Sequence, residues 1–93
     1  MEIKTVGIVG AGQMGSGIAH VFALAGFDVQ MTDISTDSLA QAIDLIARNL
    51  ERQVSRGKIA ENADKAAMAR ISTTDRLIDL GSCDLIIEAA TER

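Results

Sequence analysis

The chain has no tryptophan, tyrosine or proline, and a single cysteine and a single histidine among 93 residues. Each absence excludes something. Cys83 alone cannot form an internal disulfide, so an oxidising, disulfide-stapled secreted scaffold is excluded. Phe22 and Phe27 are the only aromatic residues, too few to stack single-stranded bases. Thirteen acidic side chains outweigh nine basic ones for a net charge of −4, and the basic residues are scattered. No nucleic acid is expected as a partner. No apolar run approaches the roughly 18 residues of a membrane span. The opening Met1-Glu2-Ile3-Lys4 also lacks the basic-then-apolar layout of a signal peptide. A soluble, cytoplasmic setting without a membrane partner is the expectation, and no metal ligands are assigned. The lack of proline suits helices and buried strands and leaves no obvious linker. The length allows one small domain rather than two.

What is present is ordered. Thr5-Val6-Gly7-Ile8-Val9 is a continuous apolar run, as expected of a strand covered on both faces of a parallel sheet. It ends at Gly10. From Gln13 onward, Met14, Ile18, Val21, Phe22 and Ala25 recur at steps of three and four as one helical stripe, and Gly26 stands where a C-terminal cap belongs. Asp28 to Thr32 reads as a second strand closed by Asp33, which completes a β-α-β unit. Ser35, Thr36 and Asp37 offer N-cap chemistry before Leu39, Ile43, Ile46, Leu50 and Val54, a long amphipathic helix. After a break at Gly57, Asn62-Ala63-Asp64 leads into an alanine-rich helix ending near Arg70. The two helices are expected to form a hairpin projecting from the sheet. Ile71 to Thr73 is a short strand candidate, Leu77 to Leu80 a brief helical turn, and Asp84 to Ala90 another buried-strand run. No repeat or low-complexity tract interrupts this order.

Gly10-Ala11-Gly12-Gln13-Met14-Gly15 is the pattern G-x-G-x-x-G. With eight glycines in the chain, chance alone gives this spacing at roughly 5%, so the string by itself is weak. Its context decides. It follows a buried strand, opens a helix, and is followed 23 positions after its first glycine by an acid at the end of the second strand. Gly10 permits the sharp turn, Gly12 lets a pyrophosphate approach the backbone, and Gly15 allows close helix–strand packing. The helix N-terminus would hold the phosphates, with Met14 against the cofactor. Asp33 would accept hydrogen bonds from the adenosine ribose hydroxyls and repel a 2′-phosphate, selecting NAD over NADP. No cation follows Asp33 until Arg48, whereas an NADP site wants one close by. In a doubly wound sheet the fourth strand lies beside the first, so its carboxyl end, with Ala90, Thr91 and Glu92, faces the cofactor. Glu92 is a candidate contact for the nicotinamide half.

Other residues carry less. His20 is expected at a helix surface or edge rather than in catalysis, since a base for hydride chemistry must reach the substrate carbinol. Cys83 is expected to be a buried structural thiol. Arg48, Arg52, Arg56 and Lys58 gather along the long helix and its end. They read as a solvated face or as a patch for the phosphates of a large acyl carrier.

Gly-Ala-Gly-Gln-Met-Gly-Ser-Gly-Ile-Ala at 10 to 19, Asp33, the hairpin with Gly57-Lys58-Ile59, and the segment 84 to 93 together resemble the amino-terminal part of 3-hydroxyacyl-CoA dehydrogenases. The likeness is nearest to the bacterial 3-hydroxybutyryl-CoA enzymes. It implies an α/β fold, the first half of a Rossmann doubly wound parallel sheet of about four strands, with a helical hairpin inserted after the second. It implies NAD binding through residues 10 to 15, Asp33 and Glu92, and contact with the coenzyme A of an acyl-CoA substrate through Asn49 and Arg56. The implied reaction is reversible oxidation of a 3-hydroxyacyl-CoA to the 3-ketoacyl-CoA, in fatty acid or butyrate metabolism, by a homodimer. The family's histidine–glutamate dyad and its helical dimerisation domain fall after position 93, so no catalytic residue is assigned. By the same resemblance, residues 1–93 form the first part of an NAD-binding domain in a chain roughly three times longer. Met1 close before the first strand favours a free-standing amino terminus over an internal module of a fused enzyme. The alternatives are a β-hydroxyacid dehydrogenase of the hydroxyisobutyrate type, which shares the methionine before the third glycine, and a non-catalytic NAD-binding protein of the same fold.

Overall fold

The structure is a computed structural model and describes residues 2–90. Four parallel strands, β1 (Thr5–Val9), β2 (Asp28–Thr32), β3 (Ile71–Thr74) and β4 (Leu85–Glu88), form one sheet in the order β3-β2-β1-β4. The helices are α1 (Gln13–Leu24), α2 (Thr36–Ser55) and α3 (Ala63–Ala69), with a 3-10 turn at Leu77–Ser82 before β4. This is the first half of a doubly wound sheet, with the fourth strand beside the first as expected. Register brings Val9 level with Thr32 on one side and with Glu88 on the other. The three strand ends therefore open on a common edge, where Gly10, Asp33 and Ala89 follow.

The fold's main core lies on one face of the sheet. Val6 and Ile8 of β1 and Val29 and Met31 of β2 are buried against Ala19 and Ala23 of α1. The fully buried positions of α1, Gly15, Ser16, Ala19 and Ala23, are all small. Of the stripe, Ile18 and Phe22 pack half-buried against this core, while Met14 and Val21 are turned outward, 59% and 64% exposed. Close packing of a helix on a sheet selects small side chains at the interface and displaces the large ones outward. The helix ends as its sequence foretells, at Ala25 with Gly26 following at φ 104°.

Ser35 caps α2 by accepting the Ser38 N–H at 3.1 Å, and Leu39, Ala42, Ile46 and Leu50 form its buried stripe. Burial of a residue such as Ile46 or Leu50 contributes about 1.5–3 kcal/mol. The hairpin does not project from the sheet. Leu50 and Ala67 are fully buried in the same core as Ile8, so α2 and α3 fold back onto α1. Arg70 strengthens this return by donating to the Ala23 carbonyl at 2.8 Å. That supplies a cation to the C-terminal end of α1, whose own last turn has none.

The opposite face is covered more thinly. Leu80 of the 3-10 turn is buried and packs where a side chain on Gly7 would stand, 2.9 Å from an ideal Cβ there. Thus β1 is covered on both faces, as its sequence implies. β4 is shorter than the run Asp84–Ala90 and alternates between half-buried and exposed residues, with Ile86 51% exposed. Among the described residues it is covered on one face only.

Candidate functional site

The open edge carries a crevice of about 390 Å³ lined in part by Gly10, Gly12, Met14, Asp33, Ser38 and Ala90. Its geometry follows from the three glycines. Gly10 has φ 108°, and a Cβ on it would meet the Ala90 backbone nitrogen at 2.7 Å. This residue must therefore be glycine both for the turn and for the approach of β4. A Cβ on Gly15 would collide with the Gly10 carbonyl oxygen, which is how closely α1 returns over β1. A Cβ on Gly12 would meet nothing within 4 Å. Among the described residues nothing requires glycine at this position, and the space beside it is open. The glycines at 10 and 15 thus answer internal constraints, and the one at 12 does not.

Gly12 is the N-cap of α1, with no side-chain cap and no acid in the first turn. By contrast, α2 begins with the Ser35 cap and Asp37. The positive end of α1 thus carries no compensating group of its own among the described residues, and Gly12, Gln13 and Met14 there line the crevice. Ala11 and Gln13 stand in the same loop, Ala11 buried and Gln13 exposed.

Asp33 does more than its sequence position suggests. Its Oδ2 accepts the Ala11 N–H at 2.8 Å, and its Oδ1 accepts the Ser35 N–H at 2.9 Å. The carboxylate therefore ties the glycine loop to the start of α2. Each oxygen keeps a further lone pair, so the group can still receive two ribose hydroxyls. The bond to Ser35 is the two-residue turn that aspartate makes with its own backbone and was available to sequence reasoning. The bond to Ala11, across 22 positions, was not. Glu92 and Thr91 lie outside the described residues.

A second pocket, about 310 Å³, is lined by His20, Asn49, Arg52, Gln53, Arg56 and Lys58. It brings together Asn49 and Arg56, and it places His20 on α1 against α2, with Nε2 2.7 Å from Gln53 Oε1. Ser38, at the crevice, and Arg52 are on the same helix, about 20 Å apart along its axis at 1.5 Å per residue. Arg48 is not part of this group; it pairs with Asp44 at 3.4 Å.

Cys83 is half-buried rather than buried, 4.0 Å from Gln30 Oε1. Burial, with the adjacent Asp84 carboxylate second, pushes its thiol pKa up, which opposes a nucleophilic role. Asp84 is held below the usual carboxylate range by the N–H groups of Lys4 and Thr5, donated at 2.9 and 3.1 Å. It fastens the entry of β4 to that of β1. Among the described residues no helix is long and apolar enough to cross a membrane.

Known proteins agree with this geometry. Residues 5–93 match the family described as 3-hydroxyacyl-CoA dehydrogenase, NAD binding domain. A 3-hydroxybutyryl-CoA dehydrogenase of Bradyrhizobium diazoefficiens is 53% identical over 91 residues, covering 98% of this chain and 31% of that protein. A 3-hydroxyadipyl-CoA dehydrogenase of Escherichia coli is 43% identical, covering all of this chain and 20% of that one. The crystal structure of an (S)-3-hydroxybutyryl-CoA dehydrogenase from Ralstonia eutropha superposes with a TM-score of 0.93 at 42% identity, over 99% of this chain and 32% of the other. The chain spans about a third of the length of the 3-hydroxybutyryl-CoA relatives it matches. Sheet order, glycine loop, strand-terminal acid and hairpin all agree with the match, and the chain belongs to the NAD-binding domain family of the 3-hydroxyacyl-CoA dehydrogenases.

Proposed function

We propose that this chain is the first part of the NAD-binding domain of an enzyme that reversibly oxidises a 3-hydroxyacyl-CoA, 3-hydroxybutyryl-CoA in particular, to the 3-ketoacyl-CoA. The observation that carries the reading is the crevice at the carboxyl edge of the sheet, where an uncapped helix start, the open side of Gly12 and the Asp33 carboxylate converge. In this reading the N–H groups at the start of α1 hold the cofactor pyrophosphate, Gly10, Ala11, Gln13, Met14 and Gly15 shape the loop around it, and Asp33 takes the ribose hydroxyls. Bound NAD supplies the hydride acceptor. Glu92 would approach the nicotinamide half, and Asn49 and Arg56 would hold the coenzyme A moiety. The proton of the 3-hydroxyl is left to a base outside these 93 residues. The family likeness further supports a homodimeric, cytoplasmic enzyme of fatty acid or butyrate metabolism.

The test is NAD reduction, followed by nicotinamide absorbance, on adding 3-hydroxybutyryl-CoA to a dehydrogenase carrying this sequence. Turnover with NAD and little with NADP is expected. Turnover with a free hydroxyacid but not with the CoA thioester would contradict the substrate class.

A further inference from the structure

Along the face of α1 that meets the sheet, the buried residues after the glycine loop are Ser16, Ala19 and Ala23. At 19 and 23 the helix uses alanine, the best helix former and one with no polar atom to satisfy. At 16 it carries a hydroxyl instead, on a residue only 3% exposed. Packing gives no reason for that choice, since serine is the weaker helix former and a buried hydroxyl costs free energy unless it is bonded. The hydroxyl is bonded: Ser16 Oγ donates to the Gly12 carbonyl at 2.8 Å. The same oxygen accepts the Ser16 N–H at 2.9 Å. One carbonyl thus takes two donors from one residue, at the peptide that joins Gly12 to Gln13.

That peptide stands at the edge of the crevice. Gly12 is the N-cap of α1 and Gln13 its first residue, and both line the crevice. The two N–H groups before it are spent within the fold, that of Gly10 on the Thr32 carbonyl at 2.8 Å and that of Ala11 on Asp33 at 2.8 Å. In a planar trans peptide the C=O and the N–H point in opposite directions. Two donors that hold the Gly12 carbonyl toward the body of α1 therefore hold the Gln13 N–H away from it, out of the helix start. A carbonyl that accepts two bonds is also more polarised, which strengthens the N–H of the same peptide as a donor. We infer that Ser16 is a positioning residue for the cofactor: its hydroxyl fixes and polarises the Gly12–Gln13 peptide so that the Gln13 N–H is presented to the pyrophosphate. The inference rests on the NAD reading above and adds to it a buried side chain that does not line the crevice. A helical serine often satisfies itself on the carbonyl four residues earlier. Here that carbonyl belongs to the peptide that opens onto the crevice.

The experiment measures competition against NAD by ADP-ribose, which carries the pyrophosphate, and by adenosine, which does not, in a dehydrogenase carrying this sequence. The ratio of the two inhibition constants isolates the pyrophosphate contribution from that of the ribose at Asp33. Ser16→Ala removes one oxygen atom and installs the residue already used at 19 and 23. It should reduce the advantage of ADP-ribose over adenosine about three- to tenfold, the size of one hydrogen bond. Ser16→Cys, which keeps a weaker donor at the same place, should fall between the parent and Ser16→Ala. A changed Tm with an unchanged ratio would leave Ser16 a serine that satisfies only itself, and the inference would fall. Equal losses for adenosine and ADP-ribose would also overturn it, because the disturbance would then have reached the Asp33 end of the crevice. A parent protein that binds ADP-ribose no more tightly than adenosine would instead contradict the pyrophosphate reading on which the inference rests.

Discussion

Gly12 and Gly15 are the same residue type in the same loop, three positions apart, yet substitution should affect them differently. Gly15→Ala must move the Gly10 carbonyl or the whole of α1 and should lower stability by at least about 1–3 kcal/mol. Gly12→Ala meets open space in the protein. Its Tm should stay near the parent value while the Kd for NAD rises about tenfold or more, since its methyl group would occupy pyrophosphate space. Calorimetry with and without NAD separates the two, and a Gly12→Ala protein with unchanged affinity would remove the pyrophosphate from this side of the loop. The turn at Gly10 and the close packing at Gly15 were legible in the sequence because spacing and flanking strand and helix constrain them. What Asp33 does for the loop was only half legible. Its bond to Ser35 is local, whereas its bond to Ala11 depends on β1 and β2 ending level. Asp33 substitutions should accordingly loosen the loop as well as alter ribose recognition.

At the level of elements, the boundaries of β1, α1, β2 and α2 followed from caps, glycines and periodicity. Side-chain periodicity alone gave less. The large apolar residues of α1 form a stripe, but the sheet takes the face with Gly15, Ala19 and Ala23, because interaxial closeness and not hydrophobicity decides which face packs. Gly7 was read as part of an apolar run, and its reason is tertiary: Leu80 and Cys83 approach it from the 3-10 turn. Gly7→Ala should therefore cost about 1–3 kcal/mol by overpacking, measured by urea unfolding, and Leu50→Ala in the hairpin about 2–5 kcal/mol through the cavity it leaves. If Leu50→Ala were neutral, the hairpin would not be docked on α1. Asp84 gives a pH signature. Its carboxyl is held below the ordinary value of 3.8 by the Lys4 and Thr5 N–H groups. A depressed folded value means that its stabilisation is fully present above that pH and is lost as pH falls through the folded value. The stability difference between the parent and Asp84→Asn should be constant near neutrality and shrink in acid. A difference that grows in acid would contradict the assignment.

For the molecule as a whole, two pockets stand at different ends of α2 on a chain of net charge −4. One is the start of α1 beside Asp33, the other the pocket between α1 and the end of α2, and α2 spans the distance between them. That spacing suits a cofactor at one end and a long carrier-linked substrate at the other. Both ends are indicated separately in the sequence, whereas the enclosure of the pocket at the end of α2 depends on the hairpin docking back onto α1, where His20 meets Gln53. In the proposed function the crevice selects NAD through Asp33. That selection is tested most directly by titrating NAD and NADP into a dehydrogenase carrying this sequence and into its Asp33→Ala variant. A clear preference for NAD is expected in the parent, with weaker NAD binding in the variant and a preference reduced about tenfold or more as the repulsion of the 2′-phosphate is lost. An unchanged preference in the variant would contradict it.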